Sequence, residues 1–243
     1  MLTKAQAKYI QNLGHKKLRD DENVFVAEGP KLVQELLQSD TVKLHSLYAD
    51  ESFIQSNLSI KNHIEVSASE LERISFLSTP NQVLGIFHKP VFNENLDLKD
   101  KISLMLDGIQ DPGNLGSIVR IADWFGIGAI ICSKDSADVF NPKVVQSTMG
   151  SIARVNVIYV ELKEFIQANE LPALYATTLQ GKSIYEMEKI NAGVIVIGNE
   201  SKGISQEVLH LAKEKITIPK KGKAESLNAA VATGILISYL THR

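Results

Sequence analysis

The stretch KISLMLDGIQDPGNLGSIVRIA, residues 101–122, decides the fold class. Its first seven residues are apolar on both faces, the pattern of a parallel strand covered on each side by helices. A polar turn with three glycines and a proline follows, and then SIVRIADWF (117–125) resumes with helical spacing. An ordinary turn needs a glycine or a proline, but it does not need Asn114 and Arg120 as well.

Moving outward, apolar runs recur at GAIICS (128–133), RVNVIYV (154–160), ALYATTL (173–179), GVIVIG (193–198) and KITIP (215–219). With helical segments between them they predict an α/β domain built on a mostly parallel sheet. The last segment, SLNAAVATGILISYLTHR (226–243), reads as a helix whose Ala229, Ala230, Ala232 and Gly234 permit close backbone approach, in a core or at a subunit interface. Upstream, NVFVAEG (23–29), KLHSLYA (43–49), HIEVS (63–67) and NQVLGIFH (81–88) read as strands. Between them PKLVQELLQS, opened by Pro30, and SELERIS, with Ser69 as its cap, read as helices. The polar stretch KPVFNENLDLKDK (89–101) breaks the periodicity, which divides the chain into a domain of 1–90, a linker of 91–101 and a domain of 102–243.

At 243 residues and 44% hydrophobic the chain can bury a substantial core, and no window approaches the ~18 consecutive apolar residues of a membrane span. The N-terminus lacks the apolar core and cleavage site of a secretory signal, so a cytoplasmic protein is expected. Cys132, the single cysteine, sits in an apolar run and reads as a core thiol. The histidines at 15, 45, 63, 88, 210 and 242 show no ligand spacing, so no metal is expected. A net charge of −2 argues against indiscriminate nucleic-acid coating but permits local basic patches, of which there are two. One comprises His15, Lys16, Lys17 and Arg19; the other Lys220, Lys221 and Lys223.

Ligands of open α/β sheets bind beyond the carboxyl ends of the strands, so three loops draw attention: DGIQDPGNLGSIVR (107–120), GNESKGIS (198–205) and PKKGKAESLN (219–228). None carries the Rossmann or Walker glycine spacing, and there is no nucleophile elbow. For the polar residues, the bland reading is local: Asn114 caps the helix that follows it, and Ser226 caps the last one.

Together, DPGNLGSIVRIA, VIVIGNESKGIS and ITIPKKGKAESLNAAVA resemble, in order and spacing, the three motifs of the SpoU family of RNA ribose 2′-O-methyltransferases, in the SPOUT superfamily. NLGHKKLRDDENVFVAEGPKLVQELL looks like the small α/β substrate-binding domain, related to ribosomal RNA-binding proteins, that many members carry. The resemblance implies a C-terminal domain with a deep trefoil knot, S-adenosylmethionine as methyl donor, and a homodimer whose active site lies at the subunit interface.

Carried over by position, Gly198, Ile218 and Leu227, with Thr177, Thr178 and Leu179 at a strand end, would bind the cofactor. Asn114, Arg120, Glu200, Ser226 and Asn228 would be the catalytic group. Arg120 would act as base or as phosphate clamp; arginine deprotonates only above ~12, which favours neither role outright but makes the first harder. Asn114 would orient the ribose or the arginine, Ser226 and Asn228 would fix the nucleotide or the arginine, and Glu200 would hold Asn114 or the third loop. The sequence departs from the family pattern at Lys220 and Lys221, where relatives often place an apolar residue, and at Gly113, where arginine is common. Lys16, Lys17, Arg19 and Lys31 are the expected RNA-binding face of the N-terminal domain. The expected activity is 2′-O-methylation of RNA, ribosomal rather than transfer RNA; the alternatives are a transfer-RNA enzyme, a base methyltransferase, or a non-catalytic RNA binder that keeps the fold.

Overall fold

The structure is a computed structural model that describes residues 2–58, 60–92, 96 and 98–241; His242 and part of the expected linker (93–95 and 97) lie outside the described residues. In chain order the elements are α1 (Lys4–Asn12), α2 (Lys16–Asp21), β1 (Val24–Glu28), α3 (Pro30–Leu37), β2 (Lys43–Ala49), α4 (Glu51–Ser56), β3 (Ile64–Glu65), α5 (Ala68–Ile74) and β4 (Val83–His88). There follow β5 (Ile102–Asp107), α6 (Pro112–Trp124), β6 (Ala129–Ser133), α7 (Pro142–Thr148), β7 (Asn156–Val160), α8 (Leu162–Ala168), β8 (Leu174–Ser183), β9 (Gly193–Gly198), α9 (Gln206–Leu211), β10 (Glu214–Thr217) and α10 (Ala229–Thr241).

By contacts the chain forms two units, Met1–Phe92 with Asp138–Ala153, and Asn93–Ala137 with Arg154–Arg243. The first contains a four-stranded mixed sheet in the order β1-β4-β2-β3, antiparallel except for β2 with β3. Val24, Val26, Leu84 and Ile86 on one face pack with Ile10, Leu13 and Ile74 of the helices. Pro30 opens α3 as expected, whereas α5 is capped by Ser67 rather than Ser69. The Ser67 hydroxyl accepts from Glu70 N–H while the Glu70 carboxylate accepts from Ser67 N–H.

The segment 138–153 belongs to this unit through a buried link. Arg19, read from sequence as part of an exposed basic face, is only 1% exposed. Its Nη1 donates to the Leu13 carbonyl at 2.6 Å and its Nη2 to Asp138 Oδ2 at 2.5 Å. A guanidinium spent in this way cannot reach RNA, so Arg19 leaves the RNA-binding set. Phe140 lies tilted against Phe25, with ring centroids 5.5 Å apart, and Thr41 Oγ1 donates to the Ala153 carbonyl at 2.5 Å.

The second unit is a six-stranded sheet in the order β10-β8-β9-β5-β6-β7, parallel at every pairing. Leu104, Met105, Ile130, Ile131, Val194 and Val196 are fully buried, as the both-face apolar runs require. Cys132 is buried in β6, and burial pushes its thiol up to about 12, so it stays protonated. The strand order reverses at β5: β6 and β7 lie to one side, β9 and β8 to the other. Asp107 and Gly198, the last residues of β5 and β9, are register partners at that switch point, where two diverging connections leave a crevice for a ligand.

Candidate active site

Helix α6 begins earlier than its apolar spacing suggests. Asp111 is its N-cap, accepting from Asn114 N–H at 2.8 Å, and Pro112 occupies the first helical position, where a missing N–H costs nothing. Asn114 is therefore not a cap. It sits in the first turn with its amide aimed across the switch point. At the other end of the site Asn228, not Ser226, caps α10: its Oδ1 accepts from Ala230 N–H at 3.0 Å and Val231 N–H at 3.2 Å.

These placements bring three predicted residues together. Asn114 Nδ2 donates a short hydrogen bond to Glu200 Oε1, and Asn228 Nδ2 donates to Asn114 Oδ1 at 2.7 Å. The Asn114 amide keeps one N–H and one lone pair for something else. The chain of bonds fixes its orientation, because Glu200 can only accept, which forces the nitrogen of Asn114 toward it and the oxygen toward Asn228.

The loops carrying this triad are tied at two further points. Asn199 Nδ2 donates to the Gly108 carbonyl at 2.7 Å, while its Oδ1 accepts from Ser201 and Lys202 N–H at 2.9 and 3.0 Å. Asp107 Oδ2 accepts from Ser205 N–H at 2.7 Å. Neither Asn199 nor Asp107 stands out in the sequence reading, although an asparagine two residues before a serine, in a turn that ends on glycine, is the usual mark of a side chain that closes a turn. Gly198 is needed for a reason internal to the chain. A Cβ there would lie 2.4 Å from the Gly203 carbonyl carbon, so the glycine admits the returning loop rather than a ligand.

Beside the triad lies a cleft of about 1150 Å³ lined by all six expected cofactor positions, Thr177, Thr178, Leu179, Gly198, Ile218 and Leu227, and also by Glu200 and Ser226. This exceeds the ~300–1,000 Å³ of small-molecule sites and leaves room for part of a second reactant. A fault in the sheet opens it. Lys215 pairs with Ala176 but Ile216 pairs with Lys182, so Thr177–Gly181 has no partner on β10 and its backbone is diverted to the cleft. The hydroxyls of Thr177 and Thr178 are committed to the carbonyls of Val196 and Gln180 at 2.8 and 2.7 Å, leaving main chain and Leu179 to face a ligand. Leu179 is 74% and Leu227 47% exposed, an unusual state for leucines beside a cleft and one that an adenosine-like apolar ring would relieve.

Arg120 is not part of the triad. It lies farther along α6, exposed, with no hydrogen bond or ion pair among the described residues. Ser226 lines the cleft but makes no hydrogen bond among the described residues. Lys17 and Lys31 are exposed, and Lys16, also exposed, is paired with Asp20 at 2.5 Å. A smaller pocket of about 190 Å³ in the first unit is lined by Glu28, whose buried carboxyl is pushed upward by desolvation against the bonds it accepts from Ser75 and Phe76. No group of histidine, cysteine and carboxylate side chains among the described residues is arranged to hold a metal ion.

Residues 101–238 match the model of the SpoU rRNA methylase family. The chain belongs to that family. Residues 4–85 of this SpoU chain match a second model, the MRM3-like substrate binding domain. A Bacillus subtilis relative, the 23S rRNA (guanosine(2553)-2'-O)-methyltransferase RlmP, is 34% identical across 95% of this chain and 93% of its own. A Streptomyces viridochromogenes relative, a 23S rRNA (uridine(2479)-2'-O)-methyltransferase, is 30% identical across 68% of this chain and 61% of its own. Among solved structures, the AdoMet-bound rRNA methyltransferase of Sinorhizobium meliloti superposes with a TM-score of 0.86, at 31% identity, over 99% of this chain and 95% of that one.

Proposed function

We propose that this SpoU protein transfers a methyl group from S-adenosylmethionine to a ribose 2′-hydroxyl of ribosomal RNA. The observation that carries the reading is the Asn114–Glu200–Asn228 chain set beside the large cleft at the switch point of a parallel sheet. Two relatives named as 23S rRNA 2'-O-methyltransferases and an AdoMet-bound neighbour support it.

The cleft fits the cofactor: the diverted backbone of 177–181 offers amide and carbonyl groups to an adenine edge, and Leu179, Ile218 and Leu227 offer apolar walls. Bound there, S-adenosylmethionine supplies an electrophilic methyl on a sulfonium centre. The protein's own work is alignment and charge. Asn114, locked between Glu200 and Asn228, uses its remaining N–H or lone pair to orient the ribose. Arg120, without a partner among the described residues, grips the neighbouring phosphate through a bidentate fork, and Ser226 fixes the nucleotide. The O–C bond would form as the methyl carbon's bond to the donor sulfur breaks, with the neutral thioether leaving and the hydroxyl proton passing to water; an assignment of Arg120 as base instead requires a rate that follows arginine deprotonation at high pH.

Residues 1–90, with which 138–153 packs, select the RNA through Lys16, Lys17 and Lys31, and the remainder of 102–243 carries the chemistry, joined by 91–101. A homodimer is proposed because Trp124 on α6 is 84% and Val231 on α10 52% exposed, an apolar surface that a second copy would cover; sedimentation of a Trp124→Asp variant as a monomer is the check. Family membership also supports a trefoil knot in the C-terminal part of the chain, testable by pulling on the chain ends, which would leave a fixed shortfall in contour length. A cytoplasmic location is part of the proposal, and cell fractionation is the check.

The deciding experiment is transfer of labelled methyl to 23S rRNA from a strain lacking the enzyme. Label in an alkali-stable dinucleotide, absent with Arg120→Ala, is the expected result. Label in a base or in transfer RNA instead, or no label despite RNA binding, overturns the reading.

A further inference from the structure

Three lysines line the same cleft from two loops: Lys202 after β9, and Lys220 and Lys221 after β10. All are exposed, and none has a carboxylate partner among the described residues. Elsewhere in the same unit four surface lysines, Lys99, Lys134, Lys163 and Lys182, are paired with Glu170, Glu161, Glu207 and Glu214, while Lys213 and Lys215 have no carboxylate partner among the described residues but do not line the cleft. The cleft's own acids do not balance the three ammonium groups, because they number two, Glu200 and Glu225, and Glu200 already accepts from Asn114.

A cation-rich rim is a poor match to the methyl donor. That molecule has one carboxylate against an ammonium and a sulfonium, so three ammonium groups exceed what it can use and two of its own charges repel them. A polyanion matches. We propose that Lys220 and Lys221, with Lys202 from the neighbouring loop, bind backbone phosphates of the RNA strand flanking the target nucleotide, and so determine how tightly the substrate is held at the reaction site. This inference rests on the methyltransferase reading and names substrate-positioning residues within it. The rim lies at the mouth of the cleft: Ile218, one residue before Pro219, lines the apolar part, so the loop passes from the cofactor region to its charged edge within three residues.

The test compares wild type, Lys220→Ala/Lys221→Ala, Lys220→Arg/Lys221→Arg, and a control Lys99→Ala/Lys163→Ala, using unmodified 23S rRNA transcript and labelled S-adenosylmethionine. Each lost phosphate contact on a single strand lowers the dependence of log affinity on log salt by about 0.7, so the double alanine variant should lose about 1.4 in slope. Its KM for RNA should rise about tenfold at moderate salt with kcat and cofactor affinity unchanged, since phosphate contacts act on binding. The arginine variant should restore both, and the control should match wild type. Unchanged KM and slope in the alanine variant, alongside an active wild type, overturn the inference while leaving the methyltransferase reading intact. Weakened cofactor binding with normal RNA affinity also overturns it, assigning the lysines to the donor. A wild type that binds cofactor yet transfers no methyl removes the functional reading and this inference together.

Discussion

Replacing Arg19 by alanine separates a structural arginine from a functional one. The Arg19 guanidinium is buried, donates to the Leu13 carbonyl and to Asp138, and its Nε has no partner among the described residues. Truncation leaves Asp138, whose side chain is 14% exposed, without its counterion and with the Phe140 N–H as a donor, and leaves the Leu13 carbonyl short of one. Breaking a buried ion pair from one side costs about 3–5 kcal/mol, and partial access of water to Asp138 places this case near 3. With about 2–4 °C per kcal/mol for a chain of this size, the thermal transition of the protein should fall by about 6–12 °C in calorimetry. Asp138→Ala should cost a similar amount, and the double variant less than the sum, with a coupling of about 1–3 kcal/mol. Well below its transition, Arg19→Ala should bind RNA with the wild-type salt dependence. An unaltered transition together with a shallower salt slope would refute the reasoning and return Arg19 to the RNA-binding face.

Arg120→Ala should behave oppositely. Being exposed and without partners among the described residues, it should shift stability by no more than about 0.5 kcal/mol, while methyl transfer falls by about a hundredfold or more, as loss of a transition-state contact does. Asn199→Ala should release the Gly108 carbonyl and the turn at Ser201–Lys202, lowering kcat and cofactor affinity together; an unchanged enzyme by isothermal titration and steady-state assay would show that the loops need no such tie. For Glu28, burial raises the folded-state value above the ordinary 4.5, so the folded chain binds the proton more tightly. Stability is then full below 4.5 and declines as pH climbs through the raised value, and Glu28→Gln should flatten that decline in a pH series of thermal scans.

Much of the second unit is visible in the chain itself. Strands buried on both faces have no alternation to misread, and GVIVIG coincides with β9 while KISLMLD overshoots β5 by one residue. The helix starts were harder. Gly113 and Gly116 argued for a loop, yet the Asp111 cap and Pro112 begin α6 before them, since tertiary burial of Leu115 and Ile118 outweighs glycine's cost in a helix. The same holds for α10, where Ser226 and Asn228 are equally good caps by type and only geometry selects the second. In the site, the link from Asn114 to Glu200 spans 86 residues and that from Asn228 to Asn114 spans 114, so only the family motifs connected them beforehand. Arg19 was misjudged because a basic tetrad looks solvated until its partner, 119 residues away, is known. Helix α7 had a legible start, Asn141 followed by Pro142, that periodicity over seven residues was too short to support.

The membership of Asp138–Ala153 in the first unit bears on how the protein is made. As the chain emerges from a ribosome, its leading residues, up to Phe92, must wait for a stretch that begins only at Asp138 before Arg19 meets its counterion and Phe25 its neighbouring ring. By then the first two strands of the other sheet have already been synthesised. The two units therefore mature as interleaved projects rather than in series, and neither can be exchanged between genes by a single cut and splice.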